Sequence, residues 1–124
     1  MKLRDFDSND LHRILELHEK HEFELPDLND ARMVVKKCLL DNRGKIRLAA
    51  FGRLQANAYL LVDGTWRTPE ERYEAIQILE FAMISQAKIA GLDQVTAQVT
   101  PRFGRRLEPF GWKKSLHETW HKEF

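Results

Sequence analysis

The sequence predicts an α+β fold in which helices cover both faces of a sheet, and three observations lead to it. Segments of strand composition alternate with segments of helical period along the 124 residues. Ile46, Leu48, Ala49, Ala50 and Phe51, like Tyr59, Leu60, Leu61 and Val62, show too little polar alternation for a sheet wetted on one face. A long helical pattern opened by Thr68-Pro69-Glu70-Glu71 joins the second of these runs to a later strand.

Lys2 to Phe6 forms a short opening strand. Ser8 or Asn9 then caps a helix carrying Leu11, Ile14, Leu15 and His18 at helical spacing, which runs to about Phe23. It stops before Leu25-Pro26, because a residue ahead of proline is pushed out of the helical region. Asp27-Leu28-Asn29-Asp30 caps a second helix reaching about Leu40. After the turn Asp41-Asn42-Arg43-Gly44, Lys45 to Leu54 and Asn57 to Val62 read as a hairpin. Thr68 opens the long helix, with Ile76, Leu79, Met83 and Ile84 among its apolar positions and Gly91 as its stop. Gln94 to Thr100 makes a strand, Pro101 to Phe110 a short helix, and Trp112 to Phe124 one or two closing strands.

A chain that is 43% hydrophobic and 31% charged fits one domain spanning residues 1–124, with a modest core. Twenty basic against nineteen acidic side chains leave a formal charge of +1, without the overall field of a dedicated nucleic-acid binder. The single cysteine, Cys38, excludes an intrachain disulfide and a cysteine-built zinc site; among apolar neighbours it reads as inert packing. No apolar run approaches the roughly 20 residues of a membrane span, and Met1 to Asp5 lacks a signal-peptide core, so a cytoplasmic location is expected.

Between Val62 and Arg72 a strand hands over to the longest helix. A backbone that wraps a pyrophosphate needs residues without a Cβ, so that successive N–H groups approach the oxygens, and a helix N-terminus free to face them. Thr68, Glu70 and Arg72 hold those places here. Thr68-Pro69-Glu70-Glu71 spells a capping box, with Thr68 accepting from the Glu71 N–H while the Glu71 carboxylate reaches back to the Thr68 N–H. Glu70 and Glu71 stabilise the helix start by about 0.3–1 kcal/mol each and repel a pyrophosphate at the same spot. Arg67 and Arg72 are near enough to offset this through charge-assisted contacts; the other reading has them solvated or paired with the glutamates.

Two segments and the element order carry a family resemblance. Val62 to Ile76 is a strand, a turn bearing Arg67, and a long helix, and Arg106 to Trp112 is the end of a short helix followed by Gly111-Trp112. Together with the order of elements over nearly the whole chain, this resembles the GNAT superfamily of acyl-CoA-dependent N-acyltransferases. In that family the fourth strand runs into an R/Q-x-x-G-x-G/A loop and a long helix, and a short helix leads to Gly-Phe. The resemblance implies an α/β/α-layered fold with a central mixed, mostly antiparallel sheet flanked by helices on both faces. It also implies transfer from acetyl-CoA to an amine-bearing small molecule or protein.

The cofactor would lie between the strand ending at Val62 and the strand ending at Thr100. Backbone N–H groups near Leu61, Val62 and Asp63 would hold the carbonyl, Arg67, Thr68 and Arg72 the pyrophosphate, and Arg102 and Arg105 the adenine and 3′-phosphate end. Tyr59 and Asp63 stand where the family places a general base; each also has an ordinary role, Asp63 as a turn former and Tyr59 as a strand residue. The family's thiolate-protonating tyrosine on the short helix is Leu107, which has no proton to give. Glu22 and Glu24 border the family's acceptor site and otherwise read as a solvated loop.

The alternative is a GNAT-like binding or structural module without cofactor, a type that occurs among phage proteins. A third reading, weak nucleic-acid binding, rests on the basic run Pro101-Arg102-Phe103-Gly104-Arg105-Arg106 with Lys113 and Lys114. His18, His21 and Glu22 make an incomplete metal constellation that reads as a helix surface, and His117 with His121 on a closing strand does no better. Trp66, Trp112 and Trp120 read as buried or half-buried packing, Trp66 standing beside any bound cofactor.

Overall fold

The computed structural model describes residues 1–115 and 118–124. It is an α+β arrangement: an antiparallel three-stranded sheet ordered β1-β2-β3, and a separate parallel pair, β4-β5. The strands are β1 Lys2–Asp5, β2 Met33–Leu40, β3 Ile46–Arg53, β4 Ala56–Ala58 and β5 Val95–Ala97; the helices are α1 Leu11–His18, α2 Pro69–Ile89 and α3 Pro101–Leu107. Short 3-10 turns, Ser8–Asp10 and Glu108–Phe110, precede α1 and follow α3. No helix among the described residues is long and apolar enough to cross a membrane.

The largest correction concerns Asp27 to Leu40, which is not a second helix. Met33–Leu40 is the central strand, paired with β1 on one side and β3 on the other. The Met33, Lys36, Lys37, Leu40 spacing suits a helix, but the β-branched pair Val34-Val35 and two neighbouring strands decide otherwise. Two irregularities aim its core residues. Val34 is an extra residue opposite the Arg53–Gly52 step, and Arg47 an extra one opposite Leu39–Leu40. Each flips the alternation, bringing Met33 onto the face of Cys38 and Leu40, and Ile46 onto the face of Ala49 and Phe51. Gly52 faces Val35, where an added Cβ would lie 3.0 Å from the valine Cβ.

Ile14 of α1 and Leu28 of the following loop cover this face, forming the core with Met33, Cys38, Leu40 and Ile46. Phe6 and Phe51 close its edge in an edge-to-face contact, ring centroids 5.9 Å apart. Cys38 is fully buried, as packing requires, though on a strand. The sheet's other face is bare: Leu3, Val35 and Leu48 are exposed there. The expected helices on both faces of one sheet are therefore absent among the described residues, because α2 buries none of its residues.

Smaller corrections follow from local chemistry. Asp7, not Ser8 or Asn9, caps the first turn, in a reciprocal box with Asp10. The helix ends at His18 rather than Phe23, and the His18 ring turns to the Phe23 carbonyl at 2.5 Å. The hairpin fails: β3 and β4 belong to different sheets, and the second strand spans Ala56–Ala58 instead of Asn57 to Val62. The strand expected over Gln94 to Thr100 shortens to Val95–Ala97. No closing strand is found among the described residues of 112–124, and Trp120 is exposed rather than packed. His117, one of the weighed metal ligands, lies outside the described residues.

Ion pairs fasten the pieces. Arg4 grips Asp10 through two bonds of 2.6 and 2.8 Å, tying β1 to the turn before α1. The guanidinium bonds, with the Asp7 N–H, hold the Asp10 carboxyl down at about 2. The folded chain thus binds this proton less readily than the unfolded chain, whose carboxyl stays near 3.8. The stabilisation is present above 3.8 and is lost as pH falls through about 2. Asp10→Asn is expected to lower the melting temperature at neutral pH by a few degrees and to flatten its fall between those two values in a pH-resolved melting series. A profile identical to the wild type would remove the pair from the account.

A second network joins the two sheets. Asp30 binds Arg32 at 2.8 Å and Arg53 at 3.3 Å, while Asp93, just before β5, binds Arg53 and lies 3.3 Å from Arg32. Hydrogen bonds from Arg32 hold the Asp30 carboxyl well below the usual carboxylate range.

Candidate phosphate-binding face

Parallel strands need a crossover between them, and α2 supplies it. Residues leaving the carboxyl end of β4 build the turn before α2, and residues leaving the carboxyl end of β5 build α3. In open sheets of parallel strands, ligands collect outside the carboxyl ends of the strands. Both groups of site residues expected from the sequence therefore issue from the same end of one strand pair.

The turn is locally determined. The Asp63 carboxylate accepts from the Thr65 N–H at 2.9 Å and the Thr65 hydroxyl at 2.7 Å, and the Trp66 N–H donates to the Asp63 carbonyl. Arg67 adopts a left-handed backbone, φ 54°, uncommon for a side-chain-bearing residue. Its guanidinium lies 5.0 Å over the Trp66 ring and donates to Glu71 at 2.9 Å. Arg72 reaches back to the carbonyls of Trp66 and Arg67 at 2.9 and 2.8 Å.

Thr68 caps α2 as expected, its hydroxyl accepting from the Glu71 N–H at 3.2 Å. The other half of the box differs: the Glu71 carboxylate accepts from the Thr68 hydroxyl at 3.1 Å, not from the Thr68 N–H. Hydrogen bonds from Arg67 and Thr68 hold that carboxyl below its ordinary range. Thr68→Ala is expected to cost about 1 kcal/mol in chemical denaturation, the typical loss of a helix cap. No change would show that the arginine clamps alone fix the helix start.

The other expected residues fall into place unevenly. Tyr59 is 88% and Leu61 94% exposed; with half-exposed Val62 they extend beyond β4 without joining a strand. The Thr65 bonds keep the Asp63 carboxyl acidic, which makes it a weak proton acceptor for an amine. Arg102, Arg105 and Arg106 are exposed on α3, whose start is capped by Thr100. Leu107, at the position of the family tyrosine, is buried packing at 7% exposure.

Tyr73 joins the two elements that bear the basic groups. Its hydroxyl donates to the Arg106 carbonyl at 2.5 Å, and its ring meets Phe110 edge-on at 5.5 Å. The start of α2, carrying Arg67 and Arg72 at its border, is thereby held against α3. Further along the same side of α2, Glu80 accepts from the Trp112 indole at 2.7 Å, beside a cleft of about 340 Å³ lined by Ile84, Lys88, Leu92 and Phe110 among others. Of the residues expected to hold the cofactor or act in catalysis, none lines this cleft, whereas Gly111, Trp112 and Lys113, named for other reasons, do. Tyr73, Glu80 and Ala87 were missed, although their spacing of seven residues each places them, with Ile84, on one helix face. Among the described residues, no three His, Cys, Asp or Glu side chains gather as a metal site would need.

Fold and face thus define an α+β protein with a parallel β-α-β crossover and an arginine-rich end. No protein-family model, curated protein or solved structure matches the chain.

Proposed function

We propose that the chain is a GNAT-like domain that binds acetyl-CoA at the carboxyl ends of β4 and β5 and transfers the acetyl group to an amine. The observation that carries this reading is the common origin of the Arg67–Arg72 turn and of the arginines of α3 at that one end, held together by Tyr73 and Arg106. The cofactor phosphates would lie on Arg67, Arg72, Arg102 and Arg105. The free amine would attack the thioester carbonyl beside the Leu61 to Asp63 backbone, forming the C–N bond as the C–S bond breaks. The ammonium proton would pass to water, with exposed Tyr59 the candidate side chain to relay it, and the thiolate would take a proton from solvent because Leu107 offers none.

A second reading, a cofactor-free binding or structural module, is favoured by the closure of the turn upon itself. Thr68 occupies the Glu71 amide, Glu71 pairs with Arg67, and Arg72 holds loop carbonyls. Calorimetric titration with acetyl-CoA separates the two: saturable binding supports the first, and none at millimolar cofactor supports the second.

A further inference from the structure

Helix α2 carries apolar residues around its circumference, among charged ones, and leaves a stripe of them bare. A bare apolar stripe on a helix ordinarily finds a partner surface. The side facing α3 carries Tyr73, Ile76, Glu80, Ile84 and Ala87. The opposite side carries Ile78, Phe81 and Ile89, exposed by 71, 77 and 78%, with the small residues Ala82 and Ser85 between them. This stripe is continuous, and the helix of 21 residues extends for about 32 Å. The chain as a whole presents 10785 Å² to solvent at a mass of 14.6 kDa, where a compact monomer of that mass presents about 6,900 Å². That surplus is spread over the whole chain, the bare face of the three-stranded sheet included, and the stripe on α2 is one part of it.

The ends of the stripe differ in charge. Exposed Glu74 marks its beginning and exposed Lys88 its end, equally distant in sequence from Phe81. Two copies laid antiparallel about Phe81 would bring each Glu74 to the partner's Lys88, Phe81 to the partner's Phe81, and Ile78 to the partner's Ser85, where there is room for it. A parallel arrangement would set like charges together. Antiparallel packing also opposes the two helix dipoles.

We propose that this face pairs with the same face of a second copy of the chain, in a two-fold symmetric antiparallel α2 dimer with Phe81 on the axis. The partner is the chain itself because the stripe is charge-complementary to its own reverse. The proposal is independent of whether acetyl-CoA binds, since the arginine-rich end lies at the start of α2 and on α3, away from the stripe.

Sedimentation equilibrium of the full chain at high micromolar concentration tests it, with circular dichroism confirming that each variant is folded. The wild type is expected at twice 14.6 kDa. Glu74→Lys, which sets lysine against lysine, is expected to weaken association roughly tenfold or more, and Glu74→Lys with Lys88→Glu to restore it. Because Glu74 and Lys88 are both exposed, neither change disturbs the core. A wild type that stays monomeric overturns the proposal and leaves the face to another partner. A dimer indifferent to Glu74→Lys, or one that the double exchange fails to rescue, overturns it equally.

Discussion

Acetyl-CoA at about 100 times its dissociation constant is expected to raise the unfolding free energy by about 2.7 kcal/mol, and Arg67→Glu with Arg72→Glu to remove the whole of that gain. The expectation rests on charge. The first turn of α2 already carries Glu70 and Glu71, so a pyrophosphate approaches it only if the two arginines turn toward the ligand. Arg67 must then leave Glu71, and Arg72 must leave the carbonyls of Trp66 and Arg67. Affinity is what remains after those bonds are exchanged for charge-assisted bonds to phosphate. The double variant also loosens the turn, so its melting temperature without ligand has to be measured alongside. Arg102→Glu with Arg105→Glu gives an independent check, because α3 keeps its cap and its Tyr73 contact. Those substitutions are expected to weaken binding without altering the turn. A flat melting curve for the wild type would sink the acyltransferase reading, and undiminished binding by the Arg67, Arg72 variant would move the phosphate site elsewhere.

The largest expected effect on stability lies in the three-stranded sheet. Ile46→Ala is expected to cost about 2–5 kcal/mol in urea denaturation, because it opens a cavity in a core built from few side chains. Against the 5–15 kcal/mol typical of a whole domain, that is a large fraction. Leu48→Ala, two residues along the same strand but 61% exposed on the open face, is expected to change stability by no more than about 0.5 kcal/mol. The contrast tests the irregularity at Arg47. Without it, Ile46 and Leu48 would share a face and the two truncations would cost alike. Leu40 lies opposite Ile46 in the sheet, so the Leu40→Ala, Ile46→Ala pair should depart from additivity.

The features legible in the sequence are those that a few neighbouring residues decide. Thr68 before Pro69 starts α2 because its hydroxyl reaches an amide three residues on. Gly91 ends it with φ 82°, its N–H bonding to the Lys88 carbonyl while the Leu92 N–H bonds to that of Ala87. Thr100-Pro101 opens α3 by the same device. The turn of the candidate site was legible for the same reason, since Arg67, the cap and Arg72 are contiguous, whereas the strand before it ends at Ala58 and not at Val62. Its internal occupation was foreseen in part: the Thr68 cap was, but the clamp of Arg72 on two carbonyls was not, because it depends on the left-handed turn at Arg67.

What only the tertiary structure decided was everything that depends on a distant partner. Met33 to Leu40 has a spacing that suits a helix, and becomes a strand because β1 and β3 satisfy its backbone from both sides. Ala56–Ala58 looks like the second arm of a hairpin, yet pairs in parallel with Val95–Ala97, more than thirty residues further along the chain. The meeting of the two arginine-bearing helices hangs on one hydroxyl, that of Tyr73, donating to a carbonyl of α3. Caps and turns are settled by bonds spanning a few residues, so composition and spacing determine them. Strand partners and the meeting of α2 with α3 are settled by which surfaces are buried together, and no local window contains both.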